Sequence, residues 1–369
     1  MRVAIIHDGL ATRGGAGGAE RVLETLKEIY PDAPVYTTVY RPERMPESFR
    51  TYAIRTSFIQ RLPLGSRRFK FYFPLMPMAI RRFDLGMYDV VISCHHSVAK
   101  GVRPPPSVLH ICLCYTPARY LWDLSDFYLT RSGLWRWGRG LFSYVMERMR
   151  EWDVETAQGV NYFAAFSENV ARRIERCYGR SSTVIYPPVD TDRFSPMAHS
   201  DVDEYYLVVG RLIAYKRVDL AIGACNRLNA PLVIIGDGEE RRRLTRMAGP
   251  TIRFLGRQPD SVLAQYYAGC RALLFPGEED AGIVPLEAQA SGRPVIAYGK
   301  GGALETVVEG ETGTFFYEQT VEALADAMQS LDAEAFNPRH IRQHALRFDR
   351  EVFKERVRRF VREKYERPR

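Results

Sequence analysis

Two carboxylates, Glu279 and Glu287, stand in the run FPGEEDAGIVPLEAQASGRPVIA. An apolar run ends at Phe275, and Glu278, Glu279 and Asp280 follow in a loop. Gly282 then opens a helix that accepts Pro285 in its first turn, and Gly292 closes it. Acids near a helix start are ordinarily explained by the helix dipole. The same arrangement also puts the amides of Gly282, Ile283 and Val284 beside carboxylates. Amides suit a phosphate, and carboxylates accept sugar hydroxyls. Upstream, Arg211 and Lys216 in GRLIAYKR follow the apolar run YYLVV. Two cations at the carboxyl end of a strand can clamp a diphosphate, although most such pairs are solvated loop charges.

A glycine loop, RGGAGGAERV, spans residues 13–22 and includes Gly17 and Gly18. Glycine lets backbone approach a phosphate, and a following helix start supplies free N–H groups. The loop is no dinucleotide fingerprint, because Glu20 stands where Gly or Ala is required. A tight turn without a ligand explains it equally well.

These residues need elements to hold them. RVAIIHD reads as a buried strand, followed by the glycine loop and the helical pattern AERVLETLKEIY. Further strands are expected at Asp89–Ser93, Val108–Leu113, Tyr162–Phe166 and Thr183–Tyr186, with a helix from Leu134 to Thr156. Pro187 and Pro188 punctuate the chain. Five more apolar runs then alternate with helical patterns: YYLVVG, PLVIIG, TIRFLG, RALLFPG and RPVIAYG. Short apolar runs capped by Gly or Pro argue for parallel sheets covered on both faces. The expectation is two doubly wound α/β domains in tandem, meeting near residue 187 and sharing a ligand cleft at the strands' carboxyl ends.

The bulk composition agrees. The 369 residues are 46% hydrophobic and 26% charged, which excludes disordered and fibrous chains and disulfide scaffolds. No run approaches a membrane span, and MRVAIIHDGLATRGG lacks the features of a signal peptide, so a cytosolic protein is expected. The six Cys form no CxxC pair and have no His at zinc spacing, and read as buried thiols. Net charge is +8, with 45 Arg and only 7 Lys. From Ser48 to Phe83 there are eight basic residues and no acid. Within that stretch, TSFIQRLPLGSRRFKFYFPLMPMAIRR mixes Arg with aromatics, as an amphipathic segment lying on anionic lipid would. A Pro-interrupted loop packing its apolar groups inward is the plain alternative.

With Glu279 and Glu287 spaced by seven, GIVPLEA, ASGRPVIA, an upstream GRL and Lys216, the glycine loop GGAER, VIYPPVDTDRF and GDGEE, nearly the whole chain resembles family 4 retaining glycosyltransferases of the GT-B architecture. That architecture has two Rossmann-like domains facing a central cleft. YDVVISCHHSVAKGV and HICLCYTPARYLWD are similar to mannosyltransferases that use GDP-mannose in bacterial exopolysaccharide or lipopolysaccharide synthesis. The resemblance implies that Gly17 and Gly18 lie near the donor phosphates, and that Arg211 and Lys216 neutralise the leaving diphosphate. Glu279 would hold hydroxyls of the transferred sugar and Glu287 the ribose. The amides of Ile283 and Val284 would complete the diphosphate site, with the base beside Leu255, Gly256 and Arg257. It also implies domains 1–187 and 188–349, with a final helix, 350–369, returning to the first. That helix carries an apolar stripe of Val352, Phe353, Val357, Phe360 and Val361.

One departure stands out. The family places a His-Thr pair after the strand matched by HICLC, and this chain has Tyr115-Thr116. A tyrosine donates a hydrogen bond but is not cationic near neutrality. His96, in HHSVAK, is the nearest substitute, with His95 second. No metal-binding run and no cofactor are expected, since the nucleotide sugar is a substrate. The expected partners are that donor, a glycan or polyprenyl-diphosphate-linked acceptor and an anionic membrane surface, with no nucleic acid. Competing expectations are a UDP- or dTDP-sugar donor, a nucleotide-sugar epimerase, or a non-catalytic basic nucleic-acid or lipid binder.

Overall fold

The computed structural model describes residues 1–11, 18–123, 136–196 and 204–367, and gives only the backbone of residues 70 and 136–139. The chain divides into two compact units, Met1–Tyr186 with Lys354–Arg369, and Pro187–Phe353.

The first unit holds a parallel sheet of seven strands. They are β1 (Val3–His7), β2 (Val35–Thr37), β3 (Ile54–Thr56), β4 (Val90–His95), β5 (Leu109–Cys114), β6 (Tyr162–Ala165) and β7 (Ser182–Val184). Their order is β3-β2-β1-β4-β5-β6-β7. β1, β4 and β5 are buried at every position, which is why they read as unbroken apolar runs. The strands β2 and β3 were not expected. Each is three residues long and includes Thr or Arg, so neither forms a continuous apolar run, and β3 is half-exposed at the sheet edge. The helix of Arg136–Gln158 runs two residues later at each end than the expected span.

The basic stretch is neither wholly buried nor a continuous amphipathic helix. It forms 3₁₀ turns at Phe58–Arg61 and Phe69–Leu75 and a short helix at Met76–Arg81. Ile59, Met76, Ala79 and Ile80 anchor it in the core, while Leu64, Phe71, Leu75 and Met78 are exposed. Pro63, Pro74 and Pro77 deny the backbone donors that a longer helix needs.

The second unit holds a parallel sheet of six strands. They are β8 (Tyr206–Val209), β9 (Leu232–Ile235), β10 (Ile252–Gly256), β11 (Ala272–Phe275), β12 (Val295–Tyr298) and β13 (Gly313–Phe316). Their order is β10-β9-β8-β11-β12-β13. All but β13 coincide with the expected apolar runs. β13, GTFF, is short and begins at a glycine, so it carries little strand signal.

From Lys354 the final helix, Arg350–Glu366, belongs to the first unit. Lys354 pairs with Glu28 at 2.8 Å, and the Lys364 ammonium lies 4.8 Å from the Tyr162 ring centre. Val357, Phe360 and Val361 are buried. All six cysteines are buried and unpaired. Among the described residues, no helix is long and apolar enough to cross a membrane.

Candidate active site

Each sheet reverses its strand order once, between β1 and β4 in the first unit and between β8 and β11 in the second. Connections leave such a point on opposite faces and open a crevice at the carboxyl ends of the two strands. The chemically capable residues of each unit gather there.

In the second unit a pocket at the ends of β8 and β11 is lined by Gly210, Arg211, Lys216, Phe275, Gly277 and Glu279, among others. Lys216 Nζ lies 2.7 Å from Glu279 Oε1, with the two side chains 16% and 23% exposed. Read separately from sequence, these residues neutralise each other here. Gly210 lies beside the pair at φ 144°, a backbone conformation that favours glycine, and a Cβ there would sit 3.0 Å from Lys216 Nζ. Arg211 is exposed beside them. The Glu279 carbonyl accepts the Gly302 amide at 2.8 Å, which ties the acidic loop to the turn after β12.

The helix beyond that loop runs Ile283–Ala290, with Gly282 as its N-cap at φ 67°. Glycine offers no capping side chain, so the first amides, at Ile283 and Val284, have no side-chain cap. Glu287 lies further along this helix and is 3% exposed. Its Oε2 accepts the Tyr267 hydroxyl at 2.8 Å. Leu255 and Arg257 flank the end of β10, the outer strand, and are half-buried and exposed respectively. The structure thus brings Arg211, Lys216 and Glu279 into one pocket. Glu287, Leu255 and Arg257 are not among the residues that line it.

In the first unit, the ends of β1 and β4 meet through a residue the sequence reading passed over. Asp8 directly follows β1 and is buried. Its Oδ2 accepts the amides of His96 and Ser97 at 2.8 and 3.0 Å, and its Oδ1 those of Val98 and Ala99 at 2.5 and 2.6 Å. His96 Nδ1 adds a contact of 2.8 Å to Oδ2. Burial alone would raise the Asp8 pKa, but the His96 charge and these hydrogen bonds hold it well below the usual carboxylate range. An acid directly after the first strand, at the sheet's carboxyl edge, was the available sequence signal.

His96 is exposed, whereas His95 is fully buried and burial pushes its pKa down to about 3. The Tyr115 ring stacks on His96, with centroids 6.0 Å apart and planes 15° apart, and its hydroxyl lies 3.4 Å from the Ala19 carbonyl. Gly18 starts the helix of Gly18–Ile29, and Gly17 lies outside the described residues.

Residues 16–193 match the family described as Glycosyltransferase Family 4, and residues 190–346 match Glycosyl transferases group 1. The chain belongs to glycosyltransferase family 4. It is 28% identical to a GDP-mannose-dependent alpha-mannosyltransferase of Mycobacterium tuberculosis, over 85% of this chain and 83% of that one. It is 32% identical to a GDP-mannose-dependent alpha-(1-6)-phosphatidylinositol monomannoside mannosyltransferase of Mycolicibacterium smegmatis, over 44% of this chain and 50% of the relative. Among solved structures it is similar to sucrose-phosphate synthase of Thermosynechococcus elongatus, with TM-score 0.79, 18% identity and 99% of each chain covered. HepE of Anabaena, solved with UDP and glucose, matches with TM-score 0.73 and 17% identity over 98% of this chain and all of that one. The fold of this family member is GT-B, and it is a glycosyltransferase.

Proposed function

We propose that this glycosyltransferase is a retaining α-mannosyltransferase, moving mannose from GDP-mannose onto a lipid-linked glycan acceptor in cell-surface polysaccharide synthesis. The observation that carries the reading is the pocket at β8 and β11, where two cations stand beside a carboxylate capable of holding sugar hydroxyls. The mannosyltransferase relatives support the choice of donor.

In this reading the donor diphosphate draws Lys216 away from Glu279 and meets Arg211 and the Ile283 and Val284 amides. Glu279, released from its ion pair, accepts hydroxyls of the mannose. Glu287 accepts the ribose hydroxyls, and the base lies beside Leu255, Gly256 and Arg257. The acceptor oxygen attacks the anomeric carbon on the face from which the phosphate departs, so configuration is retained. The new glycosidic bond forms, the bond to phosphate breaks, and a phosphate oxygen takes the acceptor's proton. Charge grows on the leaving diphosphate, and Arg211 and Lys216 are positioned to stabilise it.

A donor panel tests this assignment. GDP-mannose at a hundred times its dissociation constant should add about 2.7 kcal/mol to stability. UDP-glucose, UDP-N-acetylglucosamine and dTDP-rhamnose should add much less at equal concentration. A larger stabilisation by any of those would reassign the donor.

The acceptor reading adds a membrane surface. Leu64, at 54% exposure, and Phe71, at 75%, stand beside the exposed Arg67 and Arg68 in the acid-free stretch. The Arg68 guanidinium lies over the Phe71 ring at 5.9 Å. Apolar groups interleaved with Arg suit the headgroups of anionic lipid. Vesicles containing anionic lipid should therefore sediment the protein at low salt, and Arg67→Glu with Arg68→Glu should release it. Equal sedimentation of both proteins would mean that this stretch does not face lipid.

A further inference from the structure

We propose that Asp8 is a positioning residue for His96, and that His96, not Tyr115, is the ionisable hydrogen-bond donor that the crevice at the ends of β1 and β4 presents to a phosphate or hydroxyl oxygen of a substrate. The inference rests on the transferase reading above and assigns a residue pair to it.

The geometry separates the two candidates. The Tyr115 hydroxyl is turned to the Ala19 carbonyl, on the helix that begins at Gly18, and its ring packs against Phe166 with centroids 4.8 Å apart. Burial also pushes its phenol well above the ordinary range, so it stays neutral. Tyr115 is therefore a platform beneath the His96 ring. His96 has the exposed edge. Its Nδ1 faces the Asp8 carboxylate at 2.8 Å, and a carboxylate fully engaged by amide donors can only accept. Nδ1 must carry the proton, so Nε2 is the atom left to meet a ligand. Four backbone amides fix the acid, and the acid fixes the ring. Nothing in this arrangement requires His96 to release a proton: the imidazolium Nε2–H donates and keeps it.

The groups facing His96 set its titration. Among the described residues they are Asp8 at the end of β1, His7 with its ring centroid 6.5 Å away, the adjacent His95, Tyr115 at the end of β5, and Glu20 on the helix of Gly18–Ile29. Partial loss of hydration in the crevice lowers the His96 pKa, but Asp8, its hydrogen bond and Glu20 outweigh that, and the net direction is upward from 6.5. His7 is pushed down to about 4 by burial and stays neutral near pH 7. Burial raises the Glu20 carboxyl.

A group that must be protonated loses function as pH rises through its pKa. The kcat profile of the wild type should therefore fall on an alkaline limb set by His96. His96→Gln should lower kcat about 100-fold and abolish the limb. Asp8→Asn should keep the limb and move it about one pH unit or more toward acid. Nitrogen NMR of the ligand-free, histidine-labelled protein should show His96 protonated at Nδ1 and titrating above 6.5, with that value lowered in Asp8→Asn. An unshifted His96 titration in a folded Asp8→Asn protein would overturn the proposal, as would an alkaline limb that survives in His96→Gln. If Asp8→Asn does not fold, the wild-type tautomer and the His96→Gln profile still decide. A wild type that turns over no nucleotide sugar overturns the transferase reading instead, and the NMR titration separates that failure from failure of the dyad.

Discussion

Lys216→Ala is expected to lower kcat by about 10²- to 10³-fold, with a much smaller change in the Michaelis constant for the donor. The reason lies in when its charge is used. Lys216 is paired with Glu279 at 2.7 Å. In the proposed mechanism, binding the donor would exchange one anionic partner for another, so the ammonium would contribute little net affinity. As the bond to the sugar breaks, the leaving diphosphate would gain charge, and the contact would strengthen only then. Removing the amine also leaves the Glu279 carboxylate uncompensated beside that growing negative charge. The double variant with Glu279→Gln should therefore lose less than the sum of the two single losses. Steady-state kinetics with saturating acceptor reads both parameters. A variant that raises only the Michaelis constant would show that Lys216 binds donor and transition state equally.

Lys100→Met should destabilise the first unit by about 3–5 kcal/mol, because it breaks a fully buried ion pair. Lys100 and Asp153 have no exposed side-chain surface and approach to 2.7 Å. The ammonium also donates to the Asp153 carbonyl at 2.5 Å and to Thr156 Oγ1 at 2.9 Å. The far carboxylate oxygen accepts from Tyr178 and Trp122, each at 2.9 Å. Deleting the cation strands a charge in the core, whereas Lys100→Met combined with Asp153→Asn removes both charges and should cost much less. Urea unfolding of the wild type and both variants measures this. Equal losses in the single and double variants would show that packing, not charge, dominates.

The same core makes stability sensitive to acid. Burial pushes His95 and His110 down to about 3 and His7 to about 4, so all three stay neutral in the fold. The unfolded chain protonates them near pH 6.5, and stability falls as pH drops through that value. Burial would raise Asp153, but Lys100 and its other donors outweigh that and hold its pKa below the usual value. Its contribution is present above roughly pH 4 and is lost further into acid.

Much of this was legible in the sequence. Buried parallel strands are nearly continuous apolar runs, so β1, β4, β5 and β8 to β12 announced themselves. The strands β2, β3 and β13 did not, because VYT, IRT and GTFF carry Thr, Arg or Gly and form no continuous apolar run. Arg211, Lys216 and Glu279 were readable as chemistry at strand ends, but the pairing of Lys216 with Glu279 was not, since it depends on β8 and β11 lying side by side. Asp8 escaped notice because a lone acid after a strand is commonplace. Its significance comes from four amides nearly ninety residues away in sequence, which only the β1–β4 neighbour relation brings to it. The exposed Phe71 and the buried Ile80 lie in one basic stretch, and no sequence period separates them.

Transfer of mannose from GDP-mannose with retention is read by following a labelled sugar. The protein is incubated with GDP-mannose labelled in the sugar and with a polyprenyl-diphosphate-linked glycan acceptor. Label is expected in the lipid-soluble product, with GDP released in equal amount, and an α-mannosidase but not a β-mannosidase should release the label. Label that stays in GDP-mannose while UDP-glucose supplies glucose to the same acceptor, or a product cleaved only by the β-specific enzyme, would contradict it.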